Sequence, residues 1–222
     1  MRTLKRINLV ILVFVCSSIS LFAQEKQDEK LQKSAAVLRD FAGMKENIPA
    51  QLMQKAEGIV VIPNLIKAGL GIGGQRGKGV AMVKNADGSW SDPVFVTLTG
   101  GSIGFQAGVQ AIDLVMVFTK GNILTSLAKG EFTLGGDIGI AAGPVGRSSS
   151  ANTDTKLDAE VYSYSRSKGL FAGLTLNGSK LSTDEDANKA FYVTDYTAST
   201  IFSKKASSDS DVVSLKNAVK AF

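Results

Sequence analysis

The 222-residue chain contains no histidine. It therefore lacks the side chain that most often moves protons near neutral pH and the commonest metal ligand. Cysteine is reduced to Cys16. A single thiol forms no intrachain disulfide, and with neither imidazole nor paired thiolates only oxygen-ligated cations remain as candidate metals. The apolar run Ile7 to Val15, broken only by Asn8, is too short to cross a bilayer as a helix.

That run follows a positive segment, Arg2, Lys5 and Arg6, and leads to Leu21-Phe-Ala23 with a small residue before Gln24. Residues 1–23 thus read as a signal peptide. The expectation is an exported protein, periplasmic or secreted, able to lie peripheral to an envelope membrane. Val15 is bulky where a lipoprotein signal wants a small residue, which argues against lipidation of Cys16. The formal charge is +5, but removal of residues 1–23 leaves 22 basic against 20 acidic side chains, close to +2. Such a balance gives no support to nucleic-acid binding.

Residues 24–30 read as a charged, flexible lead-in. Leu31, Ala35, Leu38 and Phe41 then recur at helical spacing up to Gly43, and a short helix is expected from Pro49 to Lys55. The first helix is amphipathic, fit either to insert into a membrane or to close over a sheet. Of the 23 glycines, 22 lie between Gly58 and Gly178, and this zone reads as strands. They are expected at 59–62, 70–76, 78–84, 92–98, 102–109, 112–118, 131–141, 159–166 and 169–176. Asp87-Gly88 should form a hairpin turn, 123–127 a helical turn, and 147–155 an exposed loop. Beyond Gly178, Ser182-Thr-Asp-Glu185 has capping-box spacing for a helix to Tyr192. Val212, Leu215, Val219 and Phe222 mark a last amphipathic helix. The predicted architecture is a single α+β domain over 24–222: a curved, glycine-rich antiparallel sheet or partial barrel flanked by N- and C-terminal helices.

Chemical motifs are few. Gly69-Leu-Gly-Ile-Gly-Gly74 has dinucleotide-fold spacing but precedes strand-like sequence rather than a helix. Gly100-Gly-Ser102-Ile-Gly104 has the form of a nucleophile elbow, yet no histidine exists to activate Ser102, and a small residue packed in a bent strand is the simpler account. Asp184, Asp186 and Asn188 lack calcium-loop spacing. Tyr162 and Tyr164 should share one strand face. No catalytic residue, metal or cofactor is expected. Lys67, Arg76, Lys78, Arg166, Lys168 and Lys180 lie near glycine-rich bends, either solvated or facing an anionic surface.

The ordered series Ala56-Glu-Gly-Ile-Val-Val-Ile-Pro63, Gly88-Ser-Trp-Ser-Asp-Pro93, Gly100-Gly-Ser-Ile-Gly-Phe-Gln-Ala-Gly108, Asp113, Leu134-Gly-Gly-Asp137, Tyr162-Ser-Tyr-Ser165 and Lys168-Gly-Leu-Phe-Ala-Gly173 resembles the SYLF domain family. The likeness covers roughly residues 31–222. A usual closing Asn…Tyr-Gly appears here as Asn188…Tyr192-Val193. Eukaryotic members bind phosphoinositides and, in some fungi, actin; secreted bacterial members are regarded as lipid-binding. The resemblance implies a non-enzymatic binder of anionic phospholipid at a membrane surface. The alternative is a structural or protein-interaction scaffold of the envelope.

Overall fold

The computed structural model describes residues 24–44, 47–143, 159–167, 170–171, 174–204 and 206–222. Residues 1–23, expected to be a signal peptide, residues 147–155, expected to be a loop, and Lys168 lie outside the described residues. Helix α1 runs over residues 24–42, and α2 covers Ala50–Lys55 with Pro49 at its N-cap. Residues 24–30 belong to α1 rather than to a flexible lead-in. Gln27 is buried there, and the Lys30 ammonium stands 5.3 Å from the centre of the Phe95 ring.

Two long strands follow, β1 Gly58–Val83 and β2 Val94–Phe118, paired antiparallel from Gly58↔Phe118 to Ala81↔Val94. Six of the strands expected from the sequence are thus two. Glycine weakens a strand locally, but it does not end one whose partner continues across from it. The Asp87-Gly88 turn joins them as expected, with Gly88 at φ +81°. Helix α3 Gly121–Thr125 and a 3₁₀ turn Ser126–Lys129 come next, then β3 Glu131–Thr133, β4 Ile140–Ala142, β5 Val161–Ser167, β6 Leu170–Phe171 and β7 Lys180–Thr183. The expected strand 131–141 is cut by a turn in which Gly135 takes φ +76° and Asp137 N–H reaches the Thr133 carbonyl at 2.9 Å. Helices α4 Glu185–Tyr192, α5 Ala198–Ser203 and α6 Ser210–Val219 complete the order.

The seven strands make one curled sheet, β3-β7-β2-β5-β4, with β1 on β2 and β6 on β5. It is mixed rather than wholly antiparallel, because β4 runs parallel to β5. The curl brings β1 back over itself. A Cβ on Gly79 would overlap the Val61 carbonyl and stand 2.8 Å from Ile62 Cα. Only a glycine admits that approach of backbone to backbone.

Strand alternation then feeds two cores. Ile59, Val61, Val80, Met82, Phe95, Val115, Val117, Tyr162 and Tyr164 pack with Leu31, Leu38 and Phe41 of α1 and with α2, α4 and α6. Val60, Ile62, Ala81, Val94, Val96, Leu114 and Met116 face the other way, onto α3, the 3₁₀ turn and α5. The two tyrosines do share a face, and it is buried.

Two polar residues inside this frame have structural work. Between Ile62 and Leu65 the β1–β2 register shifts, at a proline with no N–H and at Asn64 with φ +53°. Asp113, which interrupts an apolar run, accepts the Asn64 N–H at 3.0 Å and so closes the bulge. Asn188 accepts the Phe95 N–H at 2.8 Å and donates to the Phe95 carbonyl at 3.0 Å, extending the sheet pairing with a side chain.

The capping box is not formed. Ser182 and Thr183 belong to β7, and Asp184 caps α4 by accepting the Ala187 N–H at 3.3 Å. At the other end of α4, Val193 takes φ +53° and is exposed. A left-handed β-branched residue is strained by about 1–2 kcal/mol, and glycine is the usual occupant. Val193→Gly is expected to raise the thermal midpoint by about 2–4 °C. A lowered midpoint in differential scanning fluorimetry would show that the valine is not strained there.

Candidate functional site

Among the described residues, no group of three or more His, Cys, Asp or Glu could hold a metal ion. Asp184 and Asn188 are already committed to capping α4 and to the Phe95 backbone. Gly69–Gly74 lies within β1, paired with β2, and opens no helix, so the phosphate cradle of a dinucleotide fold is not built. Ser102 pairs with Gly73 in the ribbon, and its side chain lies outside the described residues.

The six basic positions separate into different roles. Arg166, mostly buried, donates through Nε to Asp113 at 3.1 Å and through its Nη2 nitrogen to Asp40 at 2.6 Å, while its guanidinium lies 5.4 Å from the Phe41 ring centre. It fastens α1 to β5 and the bulge. Lys78 stands 2.6 Å from the buried carboxylate of Asp184. Burial lowers the neighbouring Lys30 ammonium below the ordinary lysine range, an effect Asp184 opposes. Lys180 pairs with Glu131 at 2.6 Å on an exposed surface, and that pair raises its ammonium above the ordinary range. Surface pairs of this kind contribute little to stability. Among the described residues neither Lys67 nor Arg76 forms an ion pair.

The register shows which of these come together. Thr99 pairs with Arg76 on one side and Lys180 on the other. Residues in one row point to one face, so the two cations flank Thr99 roughly 10 Å apart. Lys78 sits one row away, opposite Thr97 and beyond it Ser182. Burial alternates along β1, with Ile72, Gly74, Arg76 and Lys78 outward and Gln75, Gly77 and Gly79 inward. This outward face continues the one that carries Val80 and Met82 under the helices. Lys67 lies on the distal ribbon opposite Gln110, apart from that group, and Arg166 is taken up by packing.

What the sequence did not reveal is the exposure of aliphatic residues at this end. Leu70 and Ile72 are 80% and 81% exposed, and Val109 and Leu170 are each 74% exposed. The only signal available was the alternation Gly69-Leu-Gly-Ile-Gly73, which leaves each aliphatic without a large neighbour in sequence.

A family model described as Ysc84, Las17-binding protein actin regulator, matches residues 99–222. The chain belongs to this family, that of the SYLF domain. The human SH3 domain-containing YSC84-like protein 1 is 35% identical over 174 residues, 75% of this chain and 51% of that protein. From Saccharomyces cerevisiae, LAS seventeen-binding protein 3 is 33% identical over 187 residues, 83% of this chain and 40% of that protein. Protein YSC84 of the same yeast is 35% identical over 181 residues, 78% of this chain and 38% of that protein. The chain thus spans about half, or less, of the length of these curated relatives. The family description speaks of binding and regulation, and one of these relatives is named for binding LAS seventeen. Within this SYLF domain, the closing motif positions are structural: Asn188 holds the Phe95 backbone, and the Tyr192 hydroxyl donates to the Pro93 carbonyl at 2.7 Å. Burial holds the Tyr192 phenol far above the ordinary tyrosine range, so it stays a neutral donor.

Proposed function

We propose that this SYLF protein is exported and binds anionic phospholipid at an envelope membrane surface, without catalysis. The observation that supports this is the charge of the β1–β2 ribbon. Residues 64–83 and 94–112 carry three ionisable side chains, Lys67, Arg76 and Lys78, and all are positive. Of the cations near this end, Lys67 and Arg76 form no ion pair among the described residues, whereas Lys78 is matched by Asp184 and Lys180 by Glu131. Each basic side chain near an anionic leaflet contributes about 1 kcal/mol, and the attraction decays within a Debye length. The two without an ion pair, Lys67 and Arg76, therefore give a weak, salt-sensitive association.

A second reading, a protein-interaction scaffold, draws on the relatives named for binding Las17 and on β1, which pairs only with β2 among the described residues. The two are separated by co-sedimentation with vesicles of phosphatidylglycerol in phosphatidylcholine, using secreted protein whose intact mass starts at Gln24. Binding is expected to these vesicles and not to phosphatidylcholine alone. Lys67→Glu/Arg76→Glu should weaken it at least tenfold at low salt. Lys78 is left in place because it neutralises buried Asp184. Equal binding by the charge-reversed protein would favour the scaffold.

A further inference from the structure

We propose that the bent end of the β1–β2 ribbon, carrying Leu70, Ile72 and Val109, is inserted into the headgroup and upper acyl region of an anionic bilayer. This rests on the membrane-binding reading above and names the element that enters the lipid. The sequence offered α1 for that task. The structure buries Leu31, Ala35, Leu38 and Phe41 against the sheet with no exposed area, so α1 is a lid and has no apolar face left to insert.

The ribbon end has the opposite character. Between Ala68 and Gly73 the chain doubles back so tightly that a Cβ on Gly73 would overlap the Ala68 carbonyl, and one on Gly69 would stand 2.7 Å from Gly73 Cα. The β1–β2 register also shifts between Leu70 and Gly71. The bend thrusts Leu70 and Ile72 outward beyond the helices that cover Val80 and Met82 on the same strand. Val109, opposite Ala68, and Leu170, on β6, add two more exposed aliphatics near this end, and Ile66, opposite Ala111, is 44% exposed. Leu170 is tied there through Ser167, its partner in β6–β5 pairing, whose hydroxyl donates to the Ala111 carbonyl at 3.2 Å.

Scattered surface aliphatics need no explanation, whereas a cluster of them at one projecting end does. The charge around them selects the occupant. Arg76 shares the outward face with Ile72, Lys67 lies three residues before Leu70, and neither forms an ion pair among the described residues; Lys78, on the same face, is matched by Asp184, and no carboxylate occurs within residues 64–83 or 94–112. An aliphatic tip behind a cationic collar fits an anionic lipid surface: the side chains enter the hydrocarbon boundary while the cations remain at the phosphates.

The test uses Leu70→Ser/Ile72→Ser and, separately, Ile72→Trp, with phosphatidylglycerol-containing vesicles. Both side chains are exposed, so the double variant is expected to keep the wild-type thermal midpoint. Its vesicle affinity should fall at least tenfold, and the fraction of wild-type binding that survives 1 M salt should vanish. In Ile72→Trp the new indole should blue-shift on binding and be quenched by brominated lipid, while Trp90, 7% exposed, contributes a constant background. Should wild type bind while the double variant binds equally and the introduced indole stays unquenched, the insertion is overturned and the surface-binding reading stands. Failure of wild type to bind any anionic vesicle overturns both. Wild-type dimerisation abolished by the serine pair, without vesicle binding, would assign the tip to a second copy of the chain and overturn the proposal.

Discussion

Gly79→Ala is expected to destabilise this SYLF domain by about 3 kcal/mol, the upper end of overpacking effects. For a domain of this size that lowers the thermal midpoint by roughly 6–12 °C. The added methyl meets the Val61 carbonyl and Ile62 Cα, both backbone, so no rotamer change relieves the overlap. At Gly77 the same methyl meets the Ile62 and Leu65 side chains first, at 2.5 and 2.8 Å, and the loss should be smaller because side chains yield. Gly101 is the control. A Cβ there has nothing within 4 Å, and alanine in a strand is favoured over glycine by about 0.5–1 kcal/mol. Thermal melts of the three alanine variants decide the matter. If Gly79→Ala melts with wild type, β1 does not cross itself at Val61.

Asp92→Ala should be at least as damaging. The Asp92 side chain is fully buried, 2.7 Å from Lys216 Nζ of α6 and 3.4 Å from Lys204 Nζ, and it accepts the Ser207 N–H at 3.0 Å. One carboxylate thereby ties the segment before β2 to the whole C-terminal stretch. Its removal leaves two ammonium groups and an N–H without their acceptor. Breaking a buried pair from one side costs about 3–5 kcal/mol. Limited proteolysis should then cut first between Ser203 and Ser210, and hydrogen exchange in α6 should accelerate. Lys216→Met in the same chain should recover part of the loss, since the unpaired charge is then gone. If the double variant loses the full sum of the two single effects, Asp92 does not act through Lys216.

Much of the frame was legible. The helical spacing of Leu31, Ala35, Leu38 and Phe41 and that of Val212, Leu215 and Val219 put helices at both ends, and Asp87-Gly88 placed the hairpin. The failures have definite causes. Clusters of glycine read as strand boundaries because glycine weakens a strand locally, yet cross-strand pairing carried β1 and β2 straight through them. Ser182 has the spacing of a helix cap, but pairing with Thr97 held it in β7, and Asp184 took the cap instead. Helix α5 was missed because Ala198-Ser-Thr-Ile-Phe-Ser203 is too short to show periodicity. At the candidate site, the six basic residues were named correctly as basic, but their roles were not readable. Arg166, Lys78 and Lys180 are neutralised by carboxylates distant in sequence, and Arg76 and Lys180 meet across Thr99 only through strand register.

The sequence by itself determined the features that depend on a few consecutive residues: the α+β order, the two amphipathic end helices, the alternation of apolar side chains along each strand, and the absence of imidazole chemistry and of any cysteine pair. Family membership was legible too, because it rests on an ordered series of short motifs. Only the tertiary structure decided which face of each strand is covered, which cations are already paired, and that Leu70, Ile72 and Val109 stand uncovered. Those outcomes turn on where the ribbon bends and what packs over it. The curl of β1 over itself rests on backbone contacts such as Gly79 with Val61, made between residues that local sequence does not join.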